Sequence, residues 1–401
     1  MVTVILLLAA LTVYGLLEYR AHRFHLRSIP VRIHVNGTRG KSSITRLIAA
    51  GLRAGERRVV AKTTGTKPRI ILEDGREIPI YRLGPANIIE QLLVVRLAWE
   101  RGAEILVMEC MAVQPHLQWV AEKKMIQSTA GVITNARADH LDQMGPTVRD
   151  VAEALTTTIS DHGVLFTADS DWLPVFEQTA AARGTTTVYC DPVVIRPEDL
   201  EGFTYIEHPE NVATALAVCE HFGVPREAAL ASMQRANPDP GVLRAYRLRF
   251  QEKTIVFYNA FAANDRDSTL LIYKRLGLRN APDDPVMVII NNRGDRLQRT
   301  EQFGEMMAQD LDARYFFLTG DFTNATEEIA IRRGVSPERI VDLGNAAAEE
   351  LFEAVLTKTE RQCQVLGVGN IGGRGEEIVN YFKNRGEEWL RKPSVSGSSS
   401  A

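Results

Sequence analysis

The sequence predicts an α/β protein with a membrane-spanning N-terminal helix, a phosphate-loop central domain and a smaller Rossmann-like C-terminal domain. Three observations support this prediction. Residues 1–17 carry no charged side chain, and residues 31–54 follow a strand, glycine loop and helix pattern. Short Val/Ile-rich segments then alternate with helical patterns, which indicates sheets that are mostly parallel. We expect an anchor at 1–25, a central domain at 26–250, a C-terminal domain at 251–390 and a disordered tail at 391–401.

The uncharged segment from Met1 to Leu17 lies at the short end of what spans a bilayer. Arg20, Arg23 and Arg27 follow it, and positive residues favour the cytoplasmic side of a membrane. We therefore expect a single-pass anchor in the cell membrane, with the body of the protein in the cytoplasm. A cleaved signal peptide usually has a basic start and a small-residue exit, and both are missing here. A buried core helix is the alternative.

Composition and charge do not indicate a nucleic-acid-binding, zinc-binding or disulfide-rich protein. The 401 residues include 47 basic and 50 acidic side chains, for a net charge of -3. This balance gives no reason to expect nucleic-acid binding. The 4 cysteines contain no CxxC pair, so neither a zinc site nor a disulfide framework is indicated.

The alternating segments define the predicted elements. The predicted strands are Val31–Val35, Ile105–Met108, Gly131–Thr134, Val164–Thr167, Thr187–Tyr189, Thr254–Tyr258, Val286–Ile290, Tyr315–Leu318 and Gln364–Val368. The predicted helices are Ser43–Ala54, Glu90–Glu100, Asn211–Phe222, Glu301–Leu311 and Ala347–Lys358. We expect the domain boundary near Arg244–Lys253, after a Pro-rich turn.

A glycine loop between a predicted strand and a predicted helix is the strongest local signal. The loop Gly37-Thr-Arg-Gly-Lys-Ser-Ser43 follows the first apolar strand. Glycines let backbone N–H groups turn toward an anion, and the N-terminus of the next helix adds partial positive charge. Lys41 is placed to reach outer phosphates, and Ser42 offers a hydroxyl to Mg²⁺. We predict a nucleotide phosphate site; a plain strand–turn–helix is the alternative.

This loop resembles the GTxGK[ST] loop of the Mur ligase superfamily, which includes peptidoglycan amino-acid ligases and folylpolyglutamate synthases. Other segments resemble motifs of that superfamily and occur in the same order. They are Glu109 at a strand end, Thr134–Asp142 before Gly145, the helix start at Asn211, Pro240–Arg244 and Asn264–Ser268. The resemblance implies a Mur-ligase-like fold.

Within that superfamily the chain is most similar to the poly-γ-glutamate synthase subunits. The apolar N-terminus, the loop, the stretch Glu109–Val113 and the glycine-rich segment Gly367–Gly375 carry this resemblance. It implies ATP-dependent synthesis of γ-linked polyglutamate, with ATP and one or two Mg²⁺ ions as cofactors. It also implies glutamate and a growing polyglutamate chain as substrates, and small membrane subunits as partners. The sequence leaves a homo-oligomer open.

The resemblance also implies roles for individual residues. Ser42 and Glu109 would bind one metal ion, and His140 a second ion near an acyl phosphate. Lys41, His140 and Arg244 would be the catalytic residues, and Arg244 would contact the transferred phosphate. Asn135 and Asn211 would face adenine, and Asp265 the ribose. The complete nucleotide-binding set is then Gly37, Thr38, Arg39, Gly40, Lys41, Ser42, Ser43, Asn135, Asn211 and Asp265.

Several of these residues also have a purely structural interpretation. Glu109 can close a sheet edge, and the segment containing Asp139 and His140 can form a solvated turn or helix cap. Arg244 can be a surface residue, and Asp265 can make an Asx-turn. The sequence alone leaves these alternatives open.

The chain departs from the superfamily pattern in two places. Many Mur ligases carry a carbamylated lysine where this chain reads Ser160-Asp-His-Gly163, and the lysine of a second motif is replaced by Asp267. Recognition of an acidic substrate must then come from elsewhere. The basic residues Lys62, Lys67, Arg69 and Arg82 are candidates for contacting a polyanionic chain.

Three functions are compatible with these motifs. The first is an ATP-dependent ligase that makes poly-γ-glutamate through an acyl-phosphate intermediate, chemistry that needs positioned phosphates more than a protein nucleophile. The second is a related amide ligase with a different acid acceptor. The third is a membrane-tethered nucleotide switch, which would need the phosphate loop but not the later motifs.

Overall fold

The computed structural model describes residues 1–65, 68–82, 84–239, 242–263, 265–294, 297–372 and 374–389, without the side chains of 297–299. The chain forms two compact units. The first comprises Met1–Phe203 and His208–Asp239, and the second comprises Thr204–Glu207 with the described residues of Pro240–Ala401. The predicted tail at 391–401 and Lys67 lie outside the described residues.

The two units divide before Arg244, earlier than the boundary at residue 250 that the sequence predicted. Arg244–Phe250 is a strand that pairs antiparallel with Lys253–Asn259 over its whole length. Both strands therefore belong to the second unit. The boundary region predicted near Arg244–Lys253 coincides with this first strand, which mixes charged and apolar residues.

The first unit contains ten helices and eight strands among its described residues. The helices are α1 Val2–Ser28, α2 Lys41–Arg53, α3 Glu90–Glu100, α4 Pro115–Val120, α5 Leu141–Met144, α6 Val148–Leu155, α7 Leu173–Ala182, α8 Pro197–Glu201, α9 Pro209–His221 and α10 Arg226–Gln234. The strands are β1 Val31–Asn36, β2 Val59–Thr63, β3 Arg69–Ile71, β4 Glu77–Pro79, β5 Ile105–Glu109, β6 Ala130–Ile133, β7 Val164–Thr167 and β8 Thr186–Tyr189. A π-helical segment, Ala121–Ile126, continues α4.

These strands form one sheet in the order β4-β3-β2-β5-β1-β6-β7-β8. The pairs from β2 to β8 are parallel, and the short strands β3 and β4 pair antiparallel at one edge. The predicted parallel-rich sheet is confirmed. Strand β1 lies between β5 and β6, so the segments that follow these three strands meet at the same edge of the sheet.

Apolar side chains pack against the sheet of the first unit. One cluster joins the end of α1 to α3 and to strands β2 and β5, through residues such as Leu26, Val95 and Leu106. Another joins α6 and α7 to the region of β6 and β7, with Phe176 among its buried members. Gly51 of α2 lets two helices approach closely, because a Cβ there would lie 2.5 Å from Cys219 Sγ and 2.7 Å from Met233 Cε.

The second unit is a separate α/β domain with a seven-stranded sheet. Its helices are α11 Arg266–Arg275, α12 Leu297–Gln309, α13 Thr323–Arg332, α14 Ala348–Lys358 and α15 Arg374–Arg385. Its strands are β9 Arg244–Phe250, β10 Lys253–Asn259, β11 Val286–Asn292, β12 Tyr315–Gly320, β13 Ile340–Asp342, β14 Gln362–Gly369 and β15 Glu387–Glu388. The order is β13-β12-β11-β14-β10-β9-β15, with the pairs from β13 to β10 parallel. Two buried apolar clusters pack against this sheet, which confirms the predicted α/β domain.

The N-terminal helix α1 is one continuous element whose apolar half makes no buried contacts with the body. It is the one helix among the described residues that is long and apolar enough to cross a membrane. Its most apolar stretch of 18 residues has a mean hydropathy of 2.0. Its first buried residues are His22 and Leu26. The helix therefore projects from the body and is packed only near its end.

Arg32 joins the end of α1 to the sheet. Its guanidinium donates to the carbonyl oxygens of Leu26 at 3.2 Å and Ile29 at 2.6 Å. It also donates to Ile126 at 3.1 Å and Gln127 at 2.7 Å. Because the last carbonyls of a helix have no intrahelical donor, this arginine of β1 satisfies the end of α1 and fixes it to the π-helical segment.

Candidate active site

The predicted phosphate loop connects the central strand β1 to the N-terminus of α2. Gly40 is the residue that precedes the helix, and the first turn of α2 contains Lys41 and no acidic side chain. The helix N-terminus therefore presents unneutralised partial positive charge and backbone N–H groups beside the loop. This is the local structure that the sequence predicted.

Two glycines are required by the shape of this loop. Gly37 has φ +133°, and a Cβ there would lie 2.0 Å from Thr134 Oγ1 and 2.9 Å from the Thr134 backbone nitrogen. Gly40 has φ +81°, and its Cβ would lie 2.9 Å from Asn211 Oδ1. Side chains at these positions would be strained and would also collide with neighbouring segments. The loop is thus packed tightly against residues that follow β6 and that begin α9.

Asn135 holds the loop from the neighbouring segment. Its Oδ1 accepts from Thr38 Oγ1 at 2.6 Å and from the Arg39 N–H at 3.1 Å, and its Nδ2 donates to the Arg39 carbonyl at 3.1 Å. Thr134 Oγ1 donates to the same carbonyl at 2.6 Å. All the contacts described for the Asn135 amide are with the loop, whereas the sequence assigned it to adenine. The adenine contact stays a prediction.

Lys41 lies over the loop that precedes it. Its Nζ donates to the carbonyl oxygens of Gly37 at 2.5 Å and Thr38 at 3.3 Å. These two contacts hold the Lys41 ammonium against the loop backbone. The positive charge of the lysine therefore lies beside the N–H groups of the loop. Such an arrangement suits the outer phosphates of a nucleotide.

Ser42 and Glu109, the predicted metal pair, are in direct contact. Ser42 Oγ donates to Glu109 Oε2 at 2.9 Å, and the Thr64 N–H donates to the same oxygen at 2.7 Å. Glu109 ends β5 and is almost completely buried. The structure therefore brings together a hydroxyl and a carboxylate at the C-terminal edge of the sheet, beside the start of α2.

The Ser42–Glu109 pair fits a hard divalent cation such as Mg²⁺, which prefers oxygen ligands and usually keeps several waters beside nucleotide phosphates. Among the described residues, no group of three or more His, Cys, Asp or Glu side chains is arranged to hold a metal ion. Most ligands of an ion at this pair would then come from phosphate and water. An ion bound there would neutralise phosphate charge.

His140, the residue predicted for a second metal ion, lies at the start of α5. It precedes α5 with a φ of +50°, and its Nε2 lies 3.9 Å from Asp139 Oδ1. Asp139 in turn lies 3.5 Å from the guanidinium of Arg39 in the loop. The segment thus reaches the phosphate loop through Asp139, and the second-metal role of His140 stays a prediction.

Asn211 is brought to the loop, and its contact with adenine stays a prediction. Its buried side chain lies beside Gly40, as described above, because α9 packs along α2.

Arg69, one of the candidate substrate contacts, begins β3 and is half-buried. Ser43 occupies the first turn of α2.

Two predicted site residues belong to the second unit. Arg244 begins β9 and forms an ion pair with Glu388 of β15. Asp265 precedes α11, and its carboxylate accepts from the Ser268 N–H at 2.9 Å, so it caps the helix where the sequence alternative was an Asx-turn. Their roles toward phosphate and ribose stay predictions. Asn264, in the same motif, lies outside the described residues.

Two basic residues proposed for a polyanionic substrate are instead committed to an internal network. The Lys62 side chain is fully buried, with its ammonium 2.8 Å from Glu90 Oε1. Arg82 Nε donates to the other oxygen of Glu90 at 2.7 Å. Burial lowers the pKa of Lys62, while Glu90 opposes that shift. An open surface role for Lys62 is therefore wrong, because its strand β2 lies inside the sheet.

Sequence reasoning missed the buried His34 and the half-buried Asp169. His34 of β1 contacts Glu122 at 2.8 Å, and Glu122 also accepts from the Ser128 N–H and hydroxyl. Burial lowers the pKa of His34, but Cys110 and Glu122 together raise it to about 9. Asp169 accepts from the Ala136 N–H at 2.8 Å and so fixes the segment after Asn135; burial raises its pKa. A lone histidine within an apolar strand was the only sequence signal for the first group.

Two family models match the chain. The Mur ligase middle domain matches residues 35–191, which include the phosphate loop. The C-terminal domain of the poly-γ-glutamate synthase CapB matches residues 245–385. Together with the fold and the loop, these matches define an ATP-dependent amide ligase of the Mur ligase type.

The full-length comparisons identify the branch. The chain is 39% identical over 376 residues to the capsule biosynthesis protein CapB of Bacillus anthracis, covering 93% of this chain and 80% of that protein. It is 38% identical over 374 residues to the PGA synthase CapB of Bacillus subtilis strain 168, covering 92% and 95%. The chain therefore belongs to the CapB family of poly-γ-glutamate synthases.

Solved structures share the fold at much lower identity. Folylpolyglutamate synthase of Mycobacterium tuberculosis, complexed with ADP, has a TM-score of 0.66 and 15% identity, with 93% of this chain and 95% of that chain covered. The bifunctional folylpolyglutamate/dihydrofolate synthase of Yersinia pestis, complexed with AMPPNP and Mn, has a TM-score of 0.64 and 14% identity, covering 91% and 92%. These likenesses show a common architecture.

Proposed function

We propose that this protein uses ATP to join glutamate units through γ-amide bonds, forming poly-γ-glutamate. The observation that carries the proposal is the similarity to two CapB proteins along more than nine-tenths of the chain. The phosphate loop, held by Asn135 and followed by the Ser42–Glu109 pair, supplies a site suited to the triphosphate.

The proposed reaction has two steps. A carboxylate oxygen of the growing chain attacks the γ-phosphorus of ATP, ADP leaves, and an acyl phosphate forms. The amine of the next glutamate then attacks the acyl carbon, inorganic phosphate leaves, and the nitrogen loses a proton. Lys41 and the N–H groups at the start of α2 would stabilise the charge on the transferred phosphate, which is the main catalytic requirement of such a transfer.

The nucleotide, the ion and the location are parts of the same proposal. ATP use is supported by the phosphate loop and by the relatives' fold, and we propose Mg²⁺ at Ser42 and Glu109. We propose that α1 anchors the protein in the cell membrane with its body in the cytoplasm, since Arg20, Arg23 and Arg27 follow the apolar segment. Small membrane subunits would bind this protein, and co-purification from a detergent extract tests that association.

The decisive experiment measures phosphate release by the full chain in lipid nanodiscs, with ATP and Mg²⁺, with and without glutamate. The ligase should release phosphate faster with glutamate, and added hydroxylamine should convert the acyl phosphate to a hydroxamate. Lys41→Ala should lose both signals, whereas Lys124→Ala, an exposed lysine outside the loop, should keep them. Hydrolysis at one rate regardless of the amino acid would favour a nucleotide switch. Stimulation only by a different amino acid would indicate another amide ligase.

A further inference from the structure

Aromatic side chains gather where α1 enters the body. The Trp99 ring of α3 stacks on His25 with a centroid distance of 4.4 Å and meets Phe24 edge to face at 5.8 Å. Phe24 is 58% exposed and Trp99 is 37% exposed. We call Phe24, His25 and Trp99 the aromatic collar. The Phe24 and Trp99 rings of the collar are thus partly exposed to solvent on the surface of the first unit.

The length of the apolar segment fixes how far the collar lies from a bilayer. The hydrocarbon core is about 30 Å thick and needs about 20 helical residues. The uncharged segment ends at Leu17, so its 17 residues supply only about 25 Å at 1.5 Å per residue. A helix that is too short draws its flanking residues toward the membrane, with long cationic side chains reaching back to the headgroups.

The body begins almost at once after this segment. His22 is already buried, with its Nε2 2.9 Å from the Met125 carbonyl oxygen. If the helix uses about 20 residues to span the core, the edge of the hydrocarbon lies close to His22. Phe24 and His25 then lie within about 5 Å along the axis, which is the depth of the headgroup layer. No linker separates the helix from the body, because α1 is continuous to Ser28.

We propose that the aromatic collar is a lipid-contact surface that lies in the headgroup layer of the membrane. Tryptophan rings favour this layer because one part of the ring is apolar and the indole N–H is polar. Arg20, Arg23 and Arg27 follow helical spacing along one side of α1, and they suit anionic phospholipid headgroups. The inference rests on the proposed membrane anchoring, and it assigns a partner to a surface of the body.

The test uses the full chain in liposomes that contain anionic phospholipid. Two single-tryptophan variants are compared: one keeps Trp99 and the other keeps Trp172, with the remaining tryptophans replaced by phenylalanine. Trp172 precedes α7, which packs beside the edge strand β8. In the sheet order, β8 is separated by three strands from β5, one of the strands against which α3 packs. Liposomes carry a nitroxide quencher on the headgroup or, in a parallel set, at the middle of the acyl chain. Flotation through a density gradient is recorded for each sample.

The Trp99 variant should float with the liposomes and lose about half of its emission to the headgroup quencher, with less quenching at mid-chain. The Trp172 variant should float equally and keep its emission. Flotation with no more quenching of Trp99 than of Trp172, at a low protein-to-lipid ratio, overturns the collar proposal and leaves the anchor intact. That result would also be obtained if a second copy covered the collar. Failure to float would overturn the proposed anchoring itself.

Discussion

Replacing Asn135 by alanine separates two explanations of this residue. The structure uses its amide to hold the loop, through the contacts with Thr38 Oγ1 and with both backbone groups of Arg39. Alanine removes all three of these hydrogen bonds. It keeps the backbone bond in which the Asn135 carbonyl accepts from the Thr38 N–H at 2.9 Å, so the segment stays in place.

The expected size of the effect follows from the three lost bonds. Each intramolecular hydrogen bond contributes about 0.5–1.5 kcal/mol net, so their sum is about 3 kcal/mol. If the loop must be ordered to bind phosphate, that loss appears in the binding free energy. Since about 1.4 kcal/mol corresponds to tenfold, phosphate affinity should fall roughly a hundredfold.

Titration calorimetry with two ligands gives the answer. ATP carries the base, and inorganic tripolyphosphate does not. A loop-holding asparagine predicts that Asn135→Ala weakens both ligands by a similar factor. Asn87→Ala, at an exposed asparagine whose side chain accepts from the Ile89 N–H, should leave both affinities unchanged. A hundredfold loss for ATP with less than about a twofold loss for tripolyphosphate would refute loop holding and support the adenine contact.

Two further predictions concern buried charges. The pKa of His34 is about 9 in the folded chain against an ordinary value of 6.5, so its stabilisation is complete below pH 6.5 and is lost between pH 6.5 and 9. In urea unfolding, the free energy of unfolding should fall by up to about 1.4 kcal/mol per pH unit in that window. His34→Gln should remove this pH dependence, and an unchanged slope in the variant would contradict the raised pKa of His34. Glu90→Ala leaves Lys62 buried without its 2.8 Å partner and should cost about 3–5 kcal/mol. Lys62→Met should cost clearly less in the same urea assay, and equal losses would contradict the network.

The phosphate loop could be predicted because its signal is local. The strand before Gly37, the spacing to Lys41 and the helix after Ser42 all lie within one short stretch of sequence. The Ser42–Glu109 contact agrees with the metal pair that the resemblance implied, because the structure places β1 and β5 side by side. Regular alternation of apolar segments likewise gave the two sheets, because buried parallel strands are short and rich in β-branched residues.

The remaining features depend on contacts between distant segments. Asn135 and the loop are about a hundred residues apart, and only the packed sheet shows that the amide faces the loop backbone. Lys62 was interpreted as a surface cation because β2 was not predicted, so its burial beside Glu90 could not be inferred. The strand that begins at Arg244 is recognised only through its antiparallel partner β10.

Arg32 places the end of α1 and the phosphate loop on a single rigid strand. Near one end of β1, the Arg32 guanidinium donates hydrogen bonds to carbonyl oxygens at the end of α1. At the other end, Asn36 immediately precedes Gly37, the first residue of the phosphate loop. Four residues of extended chain cover only about 13 Å. The end of α1 and the first residue of the phosphate loop are therefore joined by one short strand, with no intervening linker.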